Sequence, residues 1–199
     1  MENLNLTSRK LTKSLLLYQR IIGIIKKGGV VIFPTDTVYG FLADATNEKA
    51  VEKLFKIKKR VYQKYLPLFI KDLKAAQKIA KITQKGKNFL RKVWPGQVTV
   101  VLKRKGGLKL YGVAKETIAL RIPNFKPLNQ LLELINIPLT ATSANISGKL
   151  PSSNIKEVLK QFENKKNKPD FIVKAGNLQK RKPSTIIDLT KRPPQILRV

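Results

Sequence analysis

The chain has 199 residues, 42% of them hydrophobic, which is enough to bury the core of one full domain and does not call for two. It contains no cysteine and no histidine, excluding a disulfide framework, thiolate chemistry and the usual zinc ligands. With 41 Lys and Arg against 12 Asp and Glu, the net charge is +29; such an excess attracts polyanions such as nucleotides or RNA, or else reflects a lysine-rich solvated surface.

Spacing of apolar residues predicts a helix over 13–27, with Leu16, Tyr18, Ile21, Ile22 and Ile25 on one face and Gly28-Gly29 beyond its end. Gln19 and Arg20 interrupt the apolar run 15–25, so no segment reaches the roughly 18 apolar residues of a membrane span. The first residues lack a signal-peptide apolar core. A cytoplasmic protein with no membrane partner is expected.

The β-branched and aromatic run 30–33 reads as a buried strand ended by Pro34. Asn47 then reads as the N-cap of a helix reaching Lys58, with Ala50, Val51, Leu54 and Ile57 inward. Further strands are predicted at 66–70, 98–102, 118–122, 139–142, 171–173, 185–189 and 196–199. Helical patterns fall at 72–80, 86–93, 127–134 and 155–162, and a Lys/Asn loop at 164–168. The fold class is α/β.

Three segments carry chemistry. Pro34-Thr35-Asp36-Thr37-Val38-Tyr39-Gly40 leaves a buried strand with three hydroxyls and a carboxylate, in a loop that could serve a ligand or only its own backbone. Lys56-Ile57-Lys58-Lys59-Arg60 is either an ordinary basic helix ending or a solvent-facing phosphate clamp. Thr140-Ala141-Thr142-Ser143-Ala144-Asn145-Ile146-Ser147-Gly148 runs from a strand into small hydroxyl and amide residues that let a ligand approach the backbone closely. Trp94-Pro95-Gly96-Gln97-Val98-Thr99 and Arg121-Ile122-Pro123, taken singly, read as a turn and a surface ion-pair partner.

In their order and spacing, and with Ser184-Thr185-Ile186-Ile187-Asp188-Leu189 near the end, these segments resemble the YrdC/TsaC family of threonylcarbamoyl-adenylate synthases over residues 14–199. The resemblance implies a single YrdC-like domain of the short form, with a twisted mixed sheet and flanking helices around an open basic cavity. It implies synthesis of threonylcarbamoyl-adenylate from L-threonine, bicarbonate and ATP with Mg²⁺, supplying a downstream tRNA threonylcarbamoyltransferase complex, with a possible tRNA contact. Lys58 and Arg60 correspond to the family's catalytic pair on the ATP phosphates. Lys64, Thr117, Ser143, Asn145, Ser152 and Ser184 fall at its ATP-binding positions, and Thr35, Thr37, Arg121 and Ala141 at its threonine-binding positions. No protein-held metal is implied.

Where relatives have Arg-Pro-x-x-x-Pro-Leu, this chain carries Val61 and Tyr65 in place of the prolines, and Phe69 stands where long-form relatives often have histidine. With no strong base in the motifs and Asp36 read as an ordinary ionised carboxylate, catalysis by positioning is expected. The rival reading is a non-catalytic double-stranded RNA or tRNA-binding module. It requires aromatic residues interleaved with basic ones, and 7% aromatic content forms no such array.

Overall fold

The computed structural model describes residues 8–179 and 181–199. The first helix, α1 (Ser8–Lys26), starts ahead of the predicted position, because the polar stretch before residue 13 carries no apolar period although its residues tolerate helix. Gly28 takes a φ of +83°. Its N–H donates to Ile25 O at 2.9 Å while Gly29 N–H donates to Ile24 O at 2.9 Å, the two bonds that close a helix end through a left-handed residue.

Strand β1 (Val31–Phe33) is fully buried, as its composition predicts. It pairs antiparallel with β2 (Gly40–Leu42), placing Phe33 opposite Gly40, so that residues 34–39 form the closed loop of a hairpin. The strand at β2 is not anticipated in the sequence reading, because Phe41, Leu42 and Ala43 are apolar on both faces and show no alternation. On its outer edges this sheet adds β8 (Thr142–Ser143) and β9 (Phe171–Ile172), in the order β8-β2-β1-β9.

The larger sheet contains β3 (Leu68–Phe69), β5 (Val98–Arg104), β6 (Thr117–Arg121), β7 (Leu139–Thr140), β10 (Thr185–Asp188) and β11 (Gln195–Arg198). Its order is β11-β10-β5-β6-β3-β7, with β4 (Ala80–Lys81) added to β5. Parallel pairs (β10 with β5, β3 with β6) alternate with antiparallel ones. The sheets are thus mixed, as expected.

The predicted strand over 139–142 divides at Ala141. Its first half pairs with β3 in the large sheet and its second with β2 in the small one. Ala141 N–H donates to Pro67 O at 2.8 Å, across the junction. This one segment therefore links both sheets, and residues at the link face the space between them.

The helices cover the sheets. In α2 (Glu48–Lys58), Asn47 Oδ1 accepts from Ala50 N–H at 3.2 Å, the predicted N-cap. The buried face of α2 packs Val51, Leu54 and Phe55 against Ile32, Tyr39 and Phe41 of the small sheet. Helices α3 (Leu73–Ile79) and α4 (Gln84–Val93) contribute Ala76, Ile79 and Leu90 to a cluster with Val100 and Leu120. Helix α5 (Lys126–Ile135) joins α1 around Val31, Leu42 and Leu139, and α6 (Ile155–Lys160) buries Ile155 and Val158.

The loop between β5 and β6 folds back over α2, with Tyr111 N–H donating to Ala45 O and Leu66 N–H to Gly112 O at 2.7 Å. Gly112 has a φ of +68°, and a Cβ there would lie 2.9 Å from Val51 Cγ1 and 3.1 Å from Phe55 Cε2. Gly112→Ala therefore meets left-handed strain and overpacking together, and is expected to lower unfolding free energy by about 2 kcal/mol or more. Urea titration of the variant checks this, and an unchanged midpoint would refute it.

Candidate active site

The two sheets and their loops enclose a cavity of about 290 Å³, lined by residues from β2, β3, β5, β6, β8, β10 and β11, at the lower end of small-molecule sites. Its wall carries Thr35, Thr37, Thr99, Ser143 and Ser184 as hydroxyl donors and acceptors, and Arg60, Arg121 and Arg198 as cations. Among the described residues no carboxylate belongs to the lining.

The hydroxyls on the hairpin loop are ordered by the loop itself. Thr35 Oγ1 donates to Val38 O at 2.6 Å and accepts from Thr37 N–H at 3.1 Å, and the Thr35 and Thr37 hydroxyls lie 3.1 Å apart. With the Thr35 proton on Val38, Thr37 is the donor of that pair and keeps acceptor capacity for an amine or hydroxyl. Gly40 permits this closeness, because a Cβ there would stand 3.2 Å from Thr35 Cγ2.

The basic helix ending resolves into two different roles. Lys59 takes φ 50° and ψ 44° as the C-cap of α2, turning the chain so that its neighbours diverge. Lys58 is 2% exposed, so it does not face solvent as the sequence reading expects. Its Nζ donates to Ser143 O at 2.5 Å, Asn145 O at 3.0 Å and Asn145 Oδ1 at 2.9 Å, which occupies all three protons. Burial, with a smaller push from the Arg60 cation, lowers its pKa from 10.5 to about 7. Lys58 holds the loop after β8 in place.

Arg60 reaches the cavity wall instead. Its Nε donates to Lys64 O at 2.7 Å and its Nη2 to Tyr65 O at 3.0 Å. Tyr62 stacks on Phe55 at 4.5 Å between ring centres. These contacts brace the segment 61–65, so Val61 and Tyr65 do not leave it unsupported.

Arg121 is 4% exposed and forms a buried ion pair, contrary to its reading in isolation as a surface partner. Nη2 donates to Asp36 Oδ2 at 2.7 Å and Nε to Gly96 O at 2.9 Å. Asp36 is buried with it: its side chain is 2% exposed, and Oδ2 also accepts from Asn124 N–H at 3.0 Å. The Trp-Pro-Gly segment acquires its purpose here. Trp94 Nε1 donates to Val98 O at 2.7 Å, and a Cβ on Gly96 would lie 2.3 Å from Val93 O, so glycine alone lets the Gly96 carbonyl approach Arg121 this way.

Arg198 is the cation that sequence reasoning missed. Its Nε and Nη2 both donate to Ser184 O, at 3.0 and 2.8 Å, and Nη2 lies 3.1 Å from Ser184 Oγ. The Ser184 hydroxyl lies 3.0 Å from that of Thr99. Strand alternation places Arg198 beside Ile186 in the register of β11 with β10, but nothing in the sequence separates it from the other basic residues.

Of the residues singled out from the sequence, Thr35, Thr37, Arg60, Arg121, Ala141, Ser143 and Ser184 converge on the cavity. Lys58, Lys64, Thr117, Asn145 and Ser152 do not line it. Thr117 pairs with Lys103 at the opposite end of β6 from Arg121. The Ser152 hydroxyl donates to Glu157 Oε2 at 2.5 Å and accepts from Asn154 N–H, a local turn. The Asn145 amide serves Lys58, Ser143 Oγ and the carbonyls of Ile146 and Lys149. Lys64 is exposed on the loop braced by Arg60.

Comparison with known proteins agrees with this architecture. The sequence model of the Sua5/YciO/YrdC family, described as telomere recombination, matches residues 23–199. A Methanocaldococcus jannaschii protein provisionally named threonylcarbamoyl-AMP synthase is 38% identical over 175 residues, covering 86% of this chain and 81% of its own. Pyrococcus abyssi threonylcarbamoyl-AMP synthase is 35% identical over 185 residues, covering 88% of this chain and 52% of its own length. This chain thus spans about half of that relative. The crystal structure of P. abyssi Sua5 complexed with L-threonine matches with a TM-score of 0.82 at 34% identity, over 91% of this chain and 53% of that one. The crystal structure of E. coli YciO matches with a TM-score of 0.81 at 27% identity, over 92% and 88% of the two chains. Continuous agreement in sequence and backbone over most of its length makes this chain a member of the Sua5/YciO/YrdC family.

Proposed function

We propose that the chain, as one YrdC-like domain over residues 14–199, is an L-threonylcarbamoyladenylate synthase, a nucleotidyltransferase acting on ATP, L-threonine and bicarbonate. The observation that carries this reading is the convergence of three arginines with threonine and serine hydroxyls on one cavity without a lining carboxylate. Such a wall suits a polyphosphate and an amino-acid carboxylate held side by side. The M. jannaschii and P. abyssi relatives carry the corresponding name, and the P. abyssi structure contains L-threonine.

In this reading Arg121 receives the threonine carboxylate, and Thr37, with Thr35 behind it, accepts from the amine. Ala141 and Ser143 close that side at the junction of the two sheets. Arg60 and Arg198 face the phosphates, with Ser143 and Ser184 as neutral partners and Lys64 at the rim. The threonine amine captures bicarbonate to give a carbamate and water. A carbamate oxygen then attacks the α-phosphorus, and pyrophosphate leaves. No lining residue is a strong base, so the chain's contribution is to juxtapose two anions and offset their repulsion with fixed guanidinium groups.

Mg²⁺ enters as part of the nucleotide substrate. Among the described residues the cavity wall offers it no carboxylate, and no three acidic side chains come together to hold an ion, so the residues do not fit a protein-held ion. The product is a mixed anhydride that a tRNA threonylcarbamoyltransferase complex in the cytoplasm would consume. Among the described residues no helix is long and apolar enough to cross a membrane.

With ATP, Mg²⁺, bicarbonate and L-threonine the protein is expected to release pyrophosphate, and to stop when threonine is left out. Equal release with and without threonine would overturn the reading.

A further inference from the structure

The three cavity arginines are tethered alike. Each uses its Nε–Nη2 edge on protein oxygens, and Nη1 has no hydrogen-bond partner among the described residues. What differs is the charge of the tether. Arg60 is held by the carbonyls of Lys64 and Tyr65 and Arg198 by Ser184, all neutral, so both keep an uncompensated positive charge. Arg121 alone is tied to an anion, Asp36, at 2.7 Å.

Asp36 is built to stay where it is. Its backbone carbonyl accepts from Gln97 Nε2 at 2.8 Å and its Oδ2 from Asn124 N–H at 3.0 Å, and the side chain is 2% exposed. A guanidinium fixed along one edge still offers its Nη1–Nη2 end, two parallel donors that match a carboxylate. Pairing with Asp36 removes most of the net charge that would draw a phosphate. A monoanionic carboxylate depends more on the matched donors than on that charge, whereas a polyphosphate depends on the charge itself.

We propose that Asp36 is a positioning and selectivity residue: it fixes the plane of Arg121 so that one end of the guanidinium serves the amino-acid carboxylate, and by neutralising Arg121 it keeps nucleotide phosphates out of that subsite. This rests on the reading of the cavity as a joint ATP and threonine site. In a merely structural role, loss of Asp36 weakens both substrates together; in the proposed role, it weakens threonine and admits phosphate.

The test is steady-state pyrophosphate release by wild type, Asp36→Asn and Asp36→Glu, with threonine and ATP varied against each other and folding checked by circular dichroism. For Asp36→Asn the KM for threonine is expected to rise about tenfold or more while the KM for ATP stays within about threefold, on the scale of one lost charge-assisted contact. ATP or inorganic phosphate at high concentration should in addition compete with threonine, which they do not do in wild type. Asp36→Glu keeps the charge but displaces the guanidinium, so the threonine KM rises without new competition. A folded Asp36→Asn variant with unchanged threonine KM and no phosphate competition overturns the proposal, as does an equal loss of both substrates. If Asp36→Asn does not fold, an Asp36→Glu variant with wild-type threonine KM overturns it. Wild type with no threonine dependence overturns instead the reading beneath it, and the proposal falls with that reading.

Discussion

Lys58→Ala is expected to destabilise the protein by about 3 kcal/mol or more and to abolish threonine-dependent turnover, because it takes one donor from three oxygens of the loop after β8. The same loop carries Ser143 onto the cavity wall. Lys58→Met, which fills the aliphatic volume but donates nothing, separates the hydrogen bonds from the packing and should recover only part of the loss. The charge adds a pH signature. Its folded pKa of about 7 lies below the unfolded value near 10.5, so the native state releases this proton first. The stability contribution is fully present above the unfolded pKa and is lost as pH falls through about 7. Wild-type melting temperature should therefore rise from pH 7 toward pH 10 relative to Lys58→Met. Calorimetry across that range checks it. If Lys58→Ala melts like wild type and only ATP affinity falls, the lysine is a phosphate ligand after all.

Arg121→Ala is the second large effect, with an expected loss of about 3–5 kcal/mol of stability, because it leaves the Asp36 carboxylate buried without its partner. Threonine dependence should vanish. The double variant Asp36→Asn, Arg121→Ala should regain part of the stability and none of the activity, since removing both charges removes the unpaired one. Urea unfolding of the four proteins in this cycle measures the coupling. A coupling energy near zero would mean that the 2.7 Å contact contributes nothing to the fold.

The order of the helices and of most strands, β2 and β4 excepted, was readable in the residues, because each depends on local properties. Asn47 caps α2 through a bond to its own third neighbour, and the 31–33 run is buried on both sides because its residues are β-branched and aromatic. Gly28 and Gly29 close α1 within five residues of chain. The hairpin loop around Thr37 and the link at Ala141 also stood out, since hydroxyls and small residues at strand ends are a local feature. Short pieces were less legible. The division of 139–143 between two sheets depends on β2 and β3, and neither partner leaves a mark in the segment itself.

By itself, then, the sequence determined the α/β class, most elements and their caps, the hydroxyl-bearing segments and the resemblance that their order carries. Only the tertiary structure decided how each cation is held, and that Arg198 joins Arg60 and Arg121 on the cavity wall while Lys58 does not. A helical period assigns Lys58 to a face of α2 but cannot say that acceptors 85 and 87 residues away will take its three protons. It cannot pair Asp36 with Arg121, also 85 residues apart, nor single out Arg198 against Ser184 among 41 basic residues. The physical reason is that a charged side chain has no fixed preference for burial: whether it is solvated, paired or turned into a cavity depends on the oxygens that the rest of the chain brings to it.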